Sequence, residues 1–174
     1  MQRHDIYKTW LDQERFSNQL MLKMLHGVPL DSRHDERYTR AVNLAAHLVA
    51  CRTNWLDRMT MGGKITYQWW PDGNIETLDS ELLEMETTWE AYLASLTNDD
   101  LDRDFEFPSG ENRYRWNIEG QLRQLVGHAF YHRGQIAILV EQLGGETFDT
   151  DYLFWAYEHN SPRWGKLASS DNQS

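Results

Sequence analysis

The chain has 174 residues, which is enough for one domain with a sizeable core. Hydrophobic residues make up 40% and aromatic residues 13% of it, and this composition excludes a disordered polar chain. The formal net charge of −10 argues against a nucleic-acid backbone or an anionic membrane surface as the main partner. Because Cys51 is the only cysteine, the chain can form neither an internal disulfide nor a thiolate metal cluster.

The single cysteine also fits a reducing compartment. Met1 to Asp5 lack the apolar run of a signal peptide, and no apolar run approaches the length of a membrane span. We therefore expect a cytoplasmic protein. Its eight tryptophans predict that some of them line a pocket or a subunit interface; filling a small core is the alternative.

Apolar residues at helical spacing predict four long helices. The first spans about Asp5 to His26, with Asp5 as its cap, and ends at Gly27-Val28-Pro29. A polar connector with a solvated His34 follows. The second helix spans roughly Tyr38 to Met61 and ends at Gly62-Gly63.

A long connection from Lys64 to Leu78 follows the second helix. Connections of this length are unusual between antiparallel neighbours and often cover or line a site. The length also allows a crossover, so the next helix need not reverse direction. The third helix is predicted from Asp79 or Ser80, as its cap, to Leu96.

Thr97 to Asp100 breaks the third helix, and alternating residues on either side of Pro108-Ser109-Gly110 predict a hairpin. The last long helix spans about Ile118 to Leu143 and stops at Gly144-Gly145. A short helix is predicted from Tyr152 to Glu158, with His159 capping carbonyls at its end. We expect one domain over residues 1–164 and a disordered tail over 165–174.

Three histidines lie in apolar surroundings. His128 and His132 are four residues apart and share the apolar face of the last helix, and His47 lies in or beside the apolar stripe of the second helix. A buried imidazole needs a partner. That partner can be a shared metal ion or, alternatively, ordinary backbone and side-chain acceptors.

If the second and last helices are neighbours, the three imidazoles meet at one level. Three protein ligands leave positions open on a metal, which is typical of a catalytic rather than a structural site. Imidazole suits zinc, nickel, copper or iron. The open position can take water, whose pKa falls toward about 7 on zinc, or a substrate thiol that the metal deprotonates.

The neighbours of the histidines have structural interpretations. Cys51, one turn after His47, is predicted to be inert packing and not a ligand or nucleophile. Gly134 predicts a close approach of another helix. Arg133 and Gln135 are predicted to orient helices or bond loops, with substrate contact as the alternative, and Tyr131 to pack or support the site.

Gly127 to Ile136, closing at Leu143-Gly144-Gly145, resembles the signature of the DinB (damage-inducible) superfamily. Asp149 to Tyr152 resembles the C-terminal end of that family, and His47, followed eight residues later by Trp55, matches its upstream histidine. The resemblance covers about residues 5–158. It implies an all-α four-helix bundle in up-down-down-up order, with a long crossover between helices 2 and 3 and a short C-terminal helix.

The resemblance also implies a divalent metal, commonly zinc or nickel, held by His47, His128 and His132, and a homodimer. Family members include thiol S-transferases and metal-dependent hydrolases, so we expect a small-molecule substrate and, for a transferase, a low-molecular-weight thiol. Some thiol-dependent isomerases of the group carry a carboxylate at one ligand position. This chain has histidine at all three, which makes such an isomerase less favoured.

The sequence leaves two other functions open. One is a stress-associated metal- or ligand-binding protein without turnover. The other is a bundle whose histidines hold no metal. No Ser-His-Asp arrangement competes with the metal as the source of a nucleophile, and no catalytic side chain is predicted beyond the three ligands.

Overall fold

The computed structural model describes residues 3–159, and both the predicted disordered tail over 165–174 and the end of the predicted domain lie outside this part. Four long helices form the bundle, and a short helix, a hairpin and a C-terminal helix complete it. They are α1 Asp5–His26, α2 Glu36–Thr60, α3 Ile75–Ser95, α4 Asn98–Leu101, β1 Asp104–Ser109, β2 Asn112–Asn117, α5 Ile118–Gln142 and α6 Tyr152–His159.

Contacts along the helices establish their directions. Tyr7 and Asn18 of α1 bond Glu119 and Arg133 of α5 in the same order along the chain, so these two helices are parallel. Between α1 and α3, residues later in one helix contact residues earlier in the other, and the same holds between α2 and α5. The helices of each of these two pairs are therefore antiparallel. It follows that α2 and α3 are parallel, and the predicted up-down-down-up order is confirmed.

Most of the helix ends follow the predicted stop signals. Helix α1 ends at Gly27, and α5 ends just before Gly144, whose φ of +78° suits glycine. Helix α2 begins slightly earlier than predicted because Asp35 caps it by accepting a hydrogen bond from the backbone N–H of Arg37. The hairpin is confirmed as an antiparallel pair, with Phe105 opposite Trp116.

Two predicted caps are wrong. In α1 the capping position is occupied by His4, and Asp5 is the first helical residue. In α3 the helix begins at Ile75, not at Asp79 or Ser80, because the Asn74 side chain accepts a hydrogen bond from the backbone N–H of Glu76 and starts the helix one turn early. The connection is therefore shorter than predicted.

This connection lies against α2 through polar side chains of that helix. Buried Asn54 exchanges two hydrogen bonds with the backbone of Tyr67, each 3.0 Å long. Asn43 accepts the backbone N–H of Gly73 at 2.8 Å. A Cβ at Gly73 would lie 2.7 Å from the carbonyl oxygen of Val42, so the chain approaches α2 closely there.

The apolar core of the bundle encloses a cluster of charges. Glu14, Arg52 and Arg133 come from α1, α2 and α5, and each is at most 3% exposed. Glu14 Oε1 accepts from Arg52 Nη2 at 2.8 Å and from Arg133 Nη1 at 3.2 Å. One carboxylate thus joins two arginines of different helices in the core. No helix in the described residues is long and apolar enough to cross a membrane.

Candidate metal centre

The structure brings the three predicted histidines together. His47 comes from the middle of α2, and His128 and His132 come from consecutive turns of α5, which packs antiparallel to it. One nitrogen from each ring lies within 4.8 Å of the others, and His128 Nε2 is 3.1 Å from His132 Nε2. His47 and His132 are 4% and 6% exposed, and His128 is half-buried.

Two of the rings are oriented by hydrogen bonds on the nitrogen that points away from the centre. His47 donates from Nδ1 to the backbone carbonyl of Trp69. His132 Nδ1 bonds the side-chain oxygen of Gln135 at 2.8 Å. In a neutral ring with the proton on Nδ1, the lone pair lies on Nε2, and that of His132 faces His128.

The spacing of the nitrogens fits a shared ion. Zinc–nitrogen bonds of about 2.0–2.1 Å put neighbouring tetrahedral ligands about 3.3 Å apart. The 3.1 Å between His128 Nε2 and His132 Nε2 is close to this value. The same distance also fits a direct N–H···N hydrogen bond between these two rings, which is the alternative to a shared ion.

Burial keeps two of the rings, those of His47 and His128, neutral. Burial, helped by the nearby His132 and His47, lowers the pKa of His128 to about 4. Burial also lowers the pKa of His47, although its hydrogen bond to Trp69 works in the opposite direction. Neutral imidazole is the form that binds a metal, so both groups are ready to act as ligands at pH 7.

Trp70, from the connection, covers one side of the centre. Its ring lies parallel to His47 with the ring centroids 3.5 Å apart, and its edge faces His132. The prediction that the connection lines a site is confirmed for Trp69 and Trp70. No pattern in the segment distinguishes these two residues from its other aromatic residue, Tyr67.

Cys51 lies closer to the centre than predicted. Its Sγ is 3.4 Å from His47 Nε2 and 4.0 Å from His128 Nε2. Burial raises the pKa of this thiol to about 12, so the free thiol is protonated at pH 7. The sequence does indicate that Cys51 lies near His47, because it follows His47 by one helical turn on the same face.

The other residues of the α5 motif have definite positions. Arg133 is buried and bonds Glu14 and Asn18 of α1, so its predicted role in orienting helices is confirmed. Gln135 instead bonds His132 of its own helix and lines the groove beside it, so the predicted contact with another helix or a loop is not what its side chain makes. Tyr131 is exposed and lies edge-on to His132. The predicted close approach at Gly134 is wrong, because no atom lies within 4 Å of a Cβ placed there.

A groove of about 650 Å³ opens beside the centre. Its lining includes Arg40, Asn43, Trp70, Tyr131, His132 and Gln135. A larger groove of about 740 Å³ lies elsewhere, along α1 and α5, and none of the three histidines lines it. The smaller groove gives a ligand access to His132.

The comparisons with known proteins agree with this arrangement. No curated protein and no solved structure matches the chain. The family model described as the DinB family matches residues 1–164, which is most of the sequence. The three histidines on α2 and α5 fit a metal-binding protein of that type. The chain belongs to the DinB family.

Proposed function

We propose that the protein is a metal-dependent enzyme that acts on a small molecule, with a divalent ion, zinc or nickel, held by His47, His128 and His132. The observation that carries the proposal is the arrangement of the rings. Nδ1 of His47 and of His132 is engaged by Trp69 and Gln135, which leaves the lone pair of each ring on Nε2, and one nitrogen of each of the three rings lies within 4.8 Å of the others.

An ion bound by three protein ligands supplies Lewis acidity at its open positions and lowers the pKa of a thiol or water there. The chain itself supplies the rest. Trp70 shields one side of His47 from solvent, and the groove beside His132 holds the substrate. We therefore propose thiol transfer to a small electrophile, or hydrolysis of a small substrate, as the reaction class.

The first test is metal content. Untagged protein should contain one equivalent of zinc or nickel by elemental analysis, and His128→Ala should lose it. His34→Ala is the matched control, because His34 is exposed and distant in sequence from the three ligands. No bound metal in the parent protein, even after supplementation, would overturn the proposal.

The second test is turnover. The metal-loaded protein is offered low-molecular-weight thiols with an aryl halide electrophile, and separately activated esters. We expect a rate that His132→Ala abolishes and that a chelator removes. If the metal-loaded protein gives no such rate in either assay, the centre binds metal without catalysis.

One observation favours that second candidate, a non-catalytic metal-binding protein. Cys51 Sγ lies 3.4 Å from His47 Nε2. A small movement of the Cys51 side chain would make its sulfur a fourth ligand. Four protein ligands are typical of a closed structural site. X-ray absorption on the zinc protein without added thiol distinguishes the two: a sulfur neighbour that disappears in Cys51→Ala supports the closed site.

We also propose a homodimer, on the basis of the exposed apolar side chains of α6. Tyr152, Leu153, Phe154 and Tyr157 are each 47–57% exposed. Exposed apolar patches of this kind are typical of interaction surfaces. Sedimentation equilibrium on the full chain, beside Phe154→Ser, tests the assignment, and a monomer at every concentration would overturn it.

A further inference from the structure

The groove beside the metal centre is formed by two rows of side chains that both lead away from the histidines. On α2, Arg40, Asn43 and His47 follow each other at three- and four-residue spacing and so share one face. On α5, His132 is followed by Gln135. Because α2 and α5 are antiparallel, the two rows run in the same direction, from the centre toward the first turn of α2.

Arg40 lies at the outer end of this groove as an exposed cation. Among the described residues it has no hydrogen-bond or ion-pair partner. Neighbouring arginines are already engaged: Arg37 pairs with Asp35, and Arg33 donates to the backbone carbonyls of Val28 and His26. In a chain with a net charge of −10, an unengaged guanidinium at a groove mouth is a recognition group for an anion.

Glu36 lines the same groove one turn before Arg40. Its carboxylate lies in the first turn of α2 and adds a negative charge at the same end of the groove. A second anionic group on the ligand would therefore be repelled, whereas an amino group next to a carboxylate would be accepted. This charge pattern favours a monoanion or a zwitterion over a phosphate or a dicarboxylate.

Two aromatic side chains border the groove at the end near the histidines. Trp70 from the connection is 62% exposed and Tyr131 from α5 is 64% exposed, and both border the groove. Exposed aromatic rings beside a cavity supply apolar contact for the middle of a ligand. The groove therefore carries both charges at its mouth, from Arg40 and Glu36, and has aromatic walls beside the histidines at its inner end.

We infer that this groove binds a small carboxylate whose other end is a metal-binding group. The carboxylate pairs with Arg40 while the metal-binding group reaches the three histidines. Arg40 and His47 are seven positions apart on α2, a rise of about 10 Å, so the two ends of the ligand lie about that far apart. The inference rests on the proposed function, because the inner end of the ligand needs an ion at the histidines.

Cobalt(II)-substituted protein provides a test that does not depend on turnover. A thiol that binds cobalt gives a thiolate-to-cobalt charge-transfer band, and titration of that band gives its Kd. The probes are straight-chain ω-mercapto acids and the mercapto alcohols of matching length. We expect the acids to bind about 10-fold more tightly than the alcohols, with the largest difference where the thiol and carboxylate are about 10 Å apart.

Arg40→Met should remove this preference while leaving the alcohols unaffected. The matched control is Arg113→Met, because Arg113 is 70% exposed, pairs with Glu106 on the hairpin and does not line the groove. This control changes the net charge equally and so separates local pairing from long-range attraction. It should keep the preference for acids.

The outcomes separate the two proposals. Equal binding of acids and alcohols, or a preference that survives Arg40→Met, overturns the carboxylate site and leaves the metal enzyme intact. Failure of the parent protein to take up cobalt, zinc or nickel overturns both. If the protein takes up cobalt but no thiol gives a charge-transfer band, both the carboxylate site and thiol transfer are overturned. Hydrolysis is then tested by the ester assay alone.

Discussion

The Trp70 ring lies flat against the His47 ring, with their centroids 3.5 Å apart and their planes 1° from parallel. His47 is thereby held from two directions, by this stacking and by the Nδ1–H bond to the carbonyl of Trp69. Two consecutive residues of the connection therefore fix a candidate metal ligand on another element. This arrangement makes the connection part of the metal centre.

Trp70→Ala should therefore weaken metal binding. Aromatic pairs contribute about 0.5–1.5 kcal/mol, which corresponds to a rise of about 2- to 10-fold in the Kd for zinc. Competition with a chromophoric chelator measures this, and Trp70→Phe should recover most of the loss. Trp116→Ala is the control, because Trp116 is a partly exposed tryptophan on the hairpin. An unchanged Kd in Trp70→Ala would show that the stacking does not orient the ligand.

The stability of the metal-free protein should fall on acidification. Burial lowers the pKa of His128 to about 4, below its usual value of about 6.5 in the unfolded chain. Between these two values the unfolded state binds a proton that the folded state does not, so the free energy of unfolding decreases as the pH falls from 6.5 to 4. Protonation of His128 in the unfolded state lowers the free energy of unfolding by on the order of 2–3 kcal/mol at pH 4. Above pH 6.5 this loss vanishes.

Urea denaturation in the presence of a chelator, at several pH values across this window, measures the slope. His128→Gln should have a shallower slope than the parent protein. His34→Gln should follow the parent, because His34 is exposed. Parallel slopes for the parent and His128→Gln would contradict the assignment.

Glu14→Gln should be among the most destabilising single changes in the core. It leaves the Arg52 and Arg133 guanidiniums buried without their shared carboxylate, and loss of one partner of a buried ion pair costs about 3–5 kcal/mol. Chemical denaturation measures the difference. Glu90→Gln removes an exposed carboxylate from its pair with Arg15 and should cost at most about 1 kcal/mol. Similar losses in the two variants would refute a special role for the buried cluster.

Two glycine substitutions should have opposite effects. Gly134→Ala should stabilise the protein by about 0.5–1 kcal/mol, because the position is helical and exposed, with no atom within 4 Å of the new methyl group. Gly73→Ala should destabilise it, because the new Cβ would lie 2.7 Å from the carbonyl of Val42. Thermal unfolding of both variants measures the signs. A loss of stability in Gly134→Ala would restore a close-packing role for that residue.

The sequence predicted the long helices well because local chemistry determines their ends. Glycines stop α1, α2 and α5, and the apolar spacing extends up to those stops. The start of α3 lies one turn earlier than the sequence predicts, because a capping side chain such as that of Asn74 is hard to recognise without the helix it begins. The three histidines were predictable because each lies in an apolar stripe that has to pack.

The surroundings of the histidines depend on packing between distant segments. Cys51 faces His128 because of the rotation of α2 against α5. Trp70 covers His47 because of the path of the connection. Helical periodicity determines which side of a helix is buried but not which residues of another helix it meets. The pairing of Glu14 with Arg52 and Arg133 is of the same kind, since it joins three helices.

Among the described residues, the hydrogen bonds to the backbone of residues 64–73 come from one helix, α2. Asn43, His47 and Asn54 of α2 bond this backbone, and Arg58 of α2 lies 4.7 Å from the centre of the Trp69 ring. Helix α2 and residues 64–74 should therefore move as one rigid body, with α5 as the opposing body. Backbone NMR order parameters over this segment should match those of α2 and not those of a free loop. Opening of the metal centre would then be a hinge motion between these two bodies, in which His47 travels with one and His128 and His132 with the other.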